Sequence, residues 1–380
     1  MSLVIDYSNG VFEAVPSGET VGTITGNATL DLTSGNLFNH TPTANTTFVF
    51  SNPPTTGSAY DMTLKVVGAN VTSGYDLANA SYDSVSFSFA SQTSDARGLA
   101  FSVDGDKMYL LDGSNKSVYQ YSLSTAWDVS TASYDSVSFS VNSQDTSPLG
   151  IAFNNTGSKM YVSGGTTGAA YQYSLSTAFD LSTASYDSVS LSSFNEKDVV
   201  FNAGGTRLFG VDGSTVYQYS LSTAFDLSTA TYDSVSFSVS SQETAPQGLA
   251  FSSGGNKMFI LGYNSDTVFE YSLSTPFDLS TASYASISFS VSSQMNWPLD
   301  LVFSFAGDKM YALSQVSPPA VYQYTTGSTA LATITWPSSV KWAGGTAPSA
   351  PANGEKDVYN FFTLDGGTTY YGFQAGDAMA

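Results

Sequence analysis

The sequence has no cysteine and only one histidine, His40, among its 380 residues. A disulfide framework and a thiolate metal site are therefore excluded, and a single histidine cannot form a metal cluster. Charged residues are also scarce, at 11% of the chain, and 31 acidic residues outnumber 11 basic ones. Because the net charge of −20 repels phosphates and anionic headgroups, we expect no nucleic acid among the partners.

Long apolar runs are absent too. No stretch approaches the roughly 18 apolar residues of a membrane-spanning helix, so we expect no membrane insertion. The first segment, MSLVIDYSNGVFEAVPSGET, lacks the basic region and the continuous apolar region of a signal peptide. We therefore expect assembly in the cytoplasm of the producing cell, with release by lysis if the protein works outside it.

Aromatic residues are abundant, at 14% of the chain, in a background of Ser, Thr and Gly that favours strands and tight turns. Three segments of the form SYDSVSFS, GLAFSxxGxKM and VYQYS each recur five times. The first is marked by Tyr82, Tyr134, Tyr186, Tyr232 and Tyr284, and the second by Phe101, Phe153, Phe201, Phe251 and Phe303. Repeats of roughly 50 residues are typical of propellers and solenoids.

Each copy predicts four short strands, GLAFS, KMYLL, VYQYSL and SYDSVSFSV. The first is almost wholly apolar, as expected near a propeller axis, and the last alternates, as expected with one wet face. A glycine such as Gly157 supplies the turn after the first strand, and Lys159 follows it as a solvated charge. The first copy has only its last strand and the fifth lacks it, so these terminal pieces should complete one blade. We predict an all-β fold with a five-bladed β-propeller over 71–324.

The flanking segments, 1–70 and 325–380, contain alternating stretches such as TTFVFSN, YDMTLKVVG and DVYNFFTL between turn signals. We predict that they form two halves of one β-sandwich or jelly-roll-like domain into which the propeller is inserted. NATLDLTSGNLFNHTPTANTTFVFSNPPTTGSAYDMTLKVVG and ITWPSSVKWAGGTAPSAPANGEKDVYNFFTLDGGTTYYGF resemble the halves of a small β-domain that recurs in tailed-bacteriophage virion proteins, including tail fibres and other appendages. In that family the halves are contiguous, whereas here the propeller separates them.

The resemblance implies a structural protein of the virion, in the first place a tail fibre or appendage component that attaches the particle to its host. It implies other virion proteins as partners, a homo-oligomer with a trimer favoured, and a possible host-surface glycan. A capsid decoration protein or head fibre is the alternative within the virion. A lectin-like or polysaccharide-hydrolysing propeller is the alternative outside it.

We expect no enzymatic activity and no cofactor. Most acidic residues recur in every copy, as Asp180 does in FDLSTA, and this favours an Asx turn over a catalytic role. Asp198 and Asp300 break the repeat, since they open the innermost strand at an axial mouth. The other copies have glycine at this position: Gly98, Gly150 and Gly248. A pair of carboxylates there would be a candidate calcium site or could act on a sugar.

The copies differ most in two connections. The connection from Tyr186 to Phe201 is four residues shorter than its counterparts, and the connection between second and third strands also varies. In an antiparallel blade both connections leave the same edge, so we call their side of the propeller the variable face. Aromatic and amide side chains on such loops suit sugar binding, and drift of unconstrained loops is the alternative. The candidate ligand-binding residues are Arg97, Phe194, Asn195, Gln247, Tyr263, Asn296 and Trp297.

Overall fold

The computed structural model describes residues 2–6, 11–15, 22–24, 28–42, 45–53, 60–315 and 319–379. Within these residues the chain is nearly all strand, and its helical residues lie in short 3-10 turns. No helix in this part of the chain is long and apolar enough to span a membrane. The protein divides into two compact units, Gly74–Ser328 and a terminal unit made of Met1–Ser73 with Thr329–Ala380.

Gly74–Ser328 contains five four-stranded antiparallel sheets, which confirm the predicted five-bladed propeller. From the inner to the outer strand, the blades are Ala96–Phe101, Lys107–Asp112, Ser117–Leu123 and Ala132–Ser140 (blade 1); Pro148–Phe153, Lys159–Gly164, Ala169–Leu175 and Ala184–Ser192 (blade 2); Val200–Phe201, Arg207–Asp212, Thr215–Leu221 and Ala230–Ser238 (blade 3); Pro246–Phe251, Lys257–Gly262, Thr267–Leu273 and Ala282–Ser290 (blade 4); and Pro298–Phe303, Lys309–Ser314, Ala320–Thr325 and Ser81–Ser88 (blade 5). The outer strand of blade 5 comes from the start of the unit and pairs with Ala320–Thr325. The predicted closure by mixed terminal strands is therefore confirmed.

The turns between inner and second strands lie with the connections between third and outer strands on one side, which we call the constant face. At Gly255 the backbone has a φ of +72°, and an added Cβ would lie 2.1 Å from the Phe277 ring. The same arrangement recurs in the pairs Gly105 and Trp127, Gly157 and Phe179, Gly205 and Phe225, Gly255 and Phe277, and Gly307 and Tyr75. Only glycine meets both demands, so the predicted turn glycines are confirmed.

A 3-10 turn precedes the outer strand of each blade and begins after an aspartate. Asp180 Oδ1 accepts hydrogen bonds from Ser182 N at 2.9 Å and Ser182 Oγ at 2.6 Å. The capping residues and their turns are Asp76 with Leu77–Asn79, Asp128 with Val129–Thr131, Asp180 with Leu181–Thr183, Asp226 with Leu227–Thr229, and Asp278 with Leu279–Thr281. These acids satisfy backbone donors in every blade, as the Asx-turn interpretation predicts.

A partly buried ion pair ties the second strand of each blade to its neighbours. In blade 2, Lys159 Nζ donates to Asp187 Oδ2 at 2.6 Å, and Gln172 Nε2 donates to the same oxygen at 2.9 Å. Gln172 Oε1 accepts from Leu227 N of blade 3 at 2.9 Å, so the network also links adjacent blades. Lys159 is therefore only partly solvated, and the prediction missed its ion pair with a carboxylate supplied by the outer strand.

Blade 4 builds the same ion pair from different residues. Ala285 occupies the position of Asp187, and Glu270 occupies the position of Gln172. Lys257 Nζ lies 3.0 Å from Glu270 Oε1, so the lysine keeps a carboxylate partner. Two departures from the repeat thus compensate each other within one blade.

The terminal unit joins both ends of the chain in one mixed sheet. Its six strands, in spatial order, are Gly22–Ile24, Leu37–His40, Tyr60–Val67, Lys356–Thr363, Tyr370–Met379 and Val340–Trp342. Two-stranded ladders pair Thr29–Asp31 with Val49–Ser51, Thr46–Thr47 with Ile334–Thr335, Asn70–Ser73 with Ser328–Leu331, and Ser2–Asp6 with Val11–Val15. A 3-10 turn spans Ala343–Gly345. Tyr60–Val67 and Lys356–Thr363, from opposite ends of the chain, are antiparallel neighbours.

Aromatic side chains fill the core of the terminal unit. Trp336 stacks on Phe48, with ring centroids 5.0 Å apart, and meets Trp342 edge to face at 5.1 Å. His40 is buried, and its Nε2 lies 3.0 Å from Thr46 Oγ1. The sandwich or jelly-roll architecture remains a prediction, since the described strands outside the six-stranded sheet form two-stranded ladders only.

Candidate functional site

The two variable connections meet on the variable face. In blade 1, Gly113 N in the hairpin between second and third strands donates to Asp95 O in the connection from outer to inner strand at 2.9 Å. In blade 4, Tyr263 N donates to Ala245 O at 3.1 Å in the same way. In blades 1, 2 and 4 the hairpin is therefore hydrogen-bonded to the connection that leads into its own blade, so changes in these two segments are structurally coupled.

Tyr263 and Trp297 form a stacked pair on this face, which we call the aromatic platform. Their ring centroids are 6.1 Å apart and their planes differ by 17°. Trp297 is 51% exposed, and Asn296 beside it in sequence is also exposed. Trp297 N donates to Asp266 Oδ1 at 2.7 Å, which fixes the backbone at a φ of +56°. This hydrogen bond ties Trp297, which directly precedes the inner strand of blade 5, to the hairpin of blade 4.

Phe194 is a wrong candidate for ligand contact. Its side chain is fully buried, with its ring centroid 5.5 Å from that of Tyr219. In the other blades an apolar residue at the start of the same connection is buried in the corresponding core: Phe89, Val141, Val239 and Val291. In the shorter connection of blade 3, Phe194 fills the equivalent buried position.

Arg97, Asn195 and Gln247 lie in different connections of the same face. Arg97 Nε donates to Asp95 Oδ1 at 2.6 Å, so the guanidinium is engaged locally. Asn195 is exposed beside Gly168, where a Cβ would lie 2.2 Å from its Oδ1, and Gln247 is half-buried. None of the hydrogen bonds described for these residues joins them to the platform.

Asp198 and Asp300 lie inside the propeller and not at an exposed mouth, since they are 5% and 4% exposed. Asp198 accepts hydrogen bonds from Val199 N at 2.7 Å and from Leu249 N of the next blade at 3.0 Å. Asp300 repeats this pattern: it accepts from Leu301 N at 2.7 Å and from Leu99 N at 2.6 Å. Each carboxylate joins the inner strands of two adjacent blades.

The glycines at the equivalent positions show why the site is tight. A Cβ at Gly150 would lie 2.8 Å from Asp198 Cα, and one at Gly248 would lie 2.7 Å from Leu301 N. A blade junction thus holds either no side chain or a carboxylate that bonds across it. No group of three or more acidic or histidine side chains suited to a metal occurs among the described residues. All four oxygens of the pair accept backbone amides, which disfavours calcium.

Burial governs the charge of this pair. Desolvation raises the pKa of Asp198 to about 6. Desolvation also raises the pKa of Asp300, and the nearby charge of Asp198 raises it further. The two residues line one end of an axial cavity of about 270 Å³, whose walls are the inner-strand phenylalanines Phe101, Phe153, Phe201, Phe251 and Phe303. Turn residues of the constant face, including Phe305, line its other end.

Sequence reasoning missed Glu196, which lines a separate cavity of about 190 Å³ in blade 3. Tyr219 Oη donates to Glu196 Oε1 at 2.6 Å, and Oε2 has no hydrogen-bond partner. Desolvation raises the pKa of Glu196, and the charge of Asp212 adds to the shift. The signal that could have found it is the paired shortening of both variable connections in this blade.

No family model and no curated protein matches the chain. Solved structures resemble it weakly. A provisionally assigned 6-phosphogluconolactonase from Bacteroides uniformis aligns over 62% of this chain and 69% of its own, at 13% identity and a TM-score of 0.38. A functionally unknown protein from Desulfotomaculum acetoxidans aligns over 74% of this chain and 85% of its own, at 11% identity and a TM-score of 0.37. A Lactobacillus plantarum protein aligns over 62% and 69%, at 16% identity and a TM-score of 0.34.

Proposed function

We propose that the protein is a non-enzymatic structural component of a tailed-bacteriophage virion whose propeller binds a host-surface carbohydrate through the aromatic platform. The observation that carries the binding proposal is the stacked pair of the half-buried Tyr263 and the exposed Trp297 on the variable face. An aromatic face contacts the apolar C–H side of a pyranose, and the exposed amide of Asn296 can bond to its hydroxyls.

The repeat itself gives no reason for aromatic residues at these two positions. Residues equivalent to Tyr263 are Gly113, Gly165, Gly213 and Gln315, and those equivalent to Trp297 are Asp95, Ser147 and Ala245. Blades fold without an aromatic pair there, so packing does not require one. A half-exposed tryptophan held by a hydrogen bond from a neighbouring blade is instead typical of a recognition residue on a rigid scaffold.

The virion assignment is supported by the sequence resemblance of the terminal segments. Under this proposal the protein belongs to the particle, is assembled in the host cytoplasm and is released by lysis, with other virion proteins as partners and a homotrimer as the favoured assembly. Each propeller would bind weakly, and many copies per particle would give firm attachment through avidity. Labelling the protein in intact particles tests this, since its absence from particles would exclude the assignment.

Two features support a non-enzymatic role. All carboxylate oxygens of Asp198 and Asp300 accept backbone amides, so neither is poised as a general acid or base. No described residue lining the axial cavity is basic, so it offers no cation to the phosphate of 6-phosphogluconolactone, the compound in the name of one structural neighbour. Release of reducing ends from host polysaccharide, or hydrolysis of that lactone, would overturn this part of the proposal.

The platform is tested by Trp297→Ala, which removes the exposed ring. We expect binding to host cells or purified surface polysaccharide to fall by about tenfold or more, because a stacked, partly desolvated aromatic is commonly an energetic hot spot. Phe305→Ala is the matched control, since Phe305 is 59% exposed but lines the constant-face end of the axial cavity. Equal binding by both variants and the parent protein would refute the platform.

A further inference from the structure

Blade 3 lacks a structural element that other blades share. Its hairpin between second and third strands contains only residues 213–214, whereas the hairpin of blade 4 contains 263–266. The connection that leads into blade 3 is also four residues shorter than its counterparts. The two shortened segments are neighbours on the variable face, so blade 3 has fewer residues than the other blades in one region of that face.

In blades 2 and 4 this hairpin caps a buried acid. Asp145 Oδ2 accepts hydrogen bonds from Thr167 N at 2.9 Å and from Thr167 Oγ1 at 2.7 Å. Glu243 Oε2 accepts from Ser265 N at 3.2 Å and Ser265 Oγ at 2.6 Å. A carboxylate in this connection is therefore normally satisfied by an N–H and an O–H of the hairpin tip.

Glu196 occupies this region of blade 3 without that cap. It is only 4% exposed, and its Oε2 has no hydrogen-bond partner. Its Oε1 is held by Tyr219 Oη at 2.6 Å. In the other blades a glutamine accepts from the equivalent tyrosine at 3.2 to 3.5 Å, in the pairs Tyr121 and Gln92, Tyr173 and Gln144, Tyr271 and Gln242, and Tyr324 and Gln294. Glu196 takes over the glutamine's role and leaves one carboxylate oxygen unsatisfied.

The space beside Glu196 is a cavity of about 190 Å³ with an aromatic and acidic lining. Tyr217, Tyr219 and Tyr232 contribute rings, and Asp212 contributes a second carboxylate near the surface. None of the described residues lining this cavity is basic. The volume is well above that needed for a single water and suits one polar group with its immediate scaffold. A buried carboxylate oxygen without a donor costs free energy that a ligand can recover.

We propose that this cavity, the blade 3 pocket, binds a primary ammonium group, which takes the place of the donors of the missing hairpin. An ammonium presents three N–H donors, carries a positive charge beside two carboxylates, and interacts favourably with tyrosine faces. A neutral hydroxyl would satisfy Oε2 but would add no positive charge to the acidic pocket. The pocket is separate from the aromatic platform, so either site can fail without the other.

Titration calorimetry at pH 7.5 with glucosamine, glucose and Nα-acetyl-lysine methylamide tests the proposal on the full chain. We expect both amines to bind and glucose to bind at least about tenfold more weakly, because charged hydrogen bonds are the stronger class. Preference between the two amines distinguishes an amino sugar from a lysine side chain as the natural source. Equal affinity for glucosamine and glucose would overturn the ammonium assignment.

Glu196→Gln should weaken amine binding by about tenfold or more, whereas Glu243→Gln, which changes the capped acid of blade 4, should leave it unchanged. Asp212→Asn changes an exposed side chain and should weaken binding less, which keeps the test available if Glu196→Gln does not fold. Replacing 213–214 with the blade 4 hairpin 263–266 should restore the cap and abolish binding. Unchanged affinity in Glu196→Gln, Asp212→Asn and the hairpin exchange would refute the pocket, and loss of binding in Trp297→Ala would assign the amine to the platform instead.

Discussion

The constant and variable faces of the propeller differ in how strictly their residues repeat from blade to blade. On the constant face every blade stacks an aromatic ring on a turn glycine, and every 3-10 turn is capped by an aspartate. On the variable face each blade pairs its hairpin and its incoming connection with different residues. Features repeated five times meet a packing or hydrogen-bonding requirement that all blades share, whereas the departures mark where one blade differs from the others.

Departures are themselves of two kinds, as blades 3 and 4 show. In blade 4 the change of an outer-strand aspartate to Ala285 is matched by Glu270, so the ion pair of Lys257 survives, although Glu270 Oε2 has no hydrogen-bond partner. In blade 3 Glu196 also has an unsatisfied Oε2, but it lines a cavity and has no ion pair among the described residues. A compensated change preserves stability, and an uncompensated one is a candidate for function.

The largest expected effect is on the constant face. Gly255→Ala places a Cβ 2.1 Å from the Phe277 ring at a φ of +72°, so the turn or the ring must move. We expect a loss of about 3 kcal/mol in the free energy of unfolding, from left-handed strain and overpacking together. Chemical denaturation measures it. Gly254→Ala is the matched control, because the nearest atom to its Cβ would be 3.8 Å away; similar losses in both would contradict the stacking argument.

The ion pair of blade 4 should show a smaller effect that a second change reverses. Glu270→Gln leaves Lys257 without its carboxylate, and we expect a loss of about 2 kcal/mol in unfolding free energy. Adding Ala285→Asp rebuilds the arrangement of the other blades and should recover most of that loss. A double-mutant cycle by denaturation gives the coupling energy. If the two changes were simply additive, the compensation seen between Glu270 and Ala285 would be coincidental.

Much of the propeller follows from the sequence because each inference is made five times on near-identical letters. Turn glycines, Asx turns and closure by a displaced outer strand need only local chemistry and chain order. The ion pair was missed because Lys159 and Asp187 are distant in sequence and the lysine's neighbours are polar. Trp297 and Phe194 are both aromatic residues in variable connections, yet one is exposed and the other buried. Whether such a residue is exposed or buried depends on the core that lies beneath its loop, and the amino-acid composition of the loop does not reveal that core.

The smallest predicted effect concerns the junctions where Asp198 and Asp300 replace glycine. Desolvation raises the pKa of Asp198 to about 6 in the folded state, above its value in an unfolded chain.

The stability that this protonated group contributes is therefore fully present below the unfolded pKa and is lost as the pH rises through about 6. We expect unfolding free energy to fall by about 1 kcal/mol between pH 5 and pH 8 from Asp198 alone, and Asp300 adds in the same direction. Denaturation of the Asp198→Asn, Asp300→Asn double variant should show a flatter pH dependence, while Asp104→Asn, at an exposed turn residue, should keep the parent slope. An unaltered slope in the double variant would mean that Asp198 and Asp300 do not cause the pH dependence. Replacement of glycine by aspartate at these junctions would then have no effect through protonation.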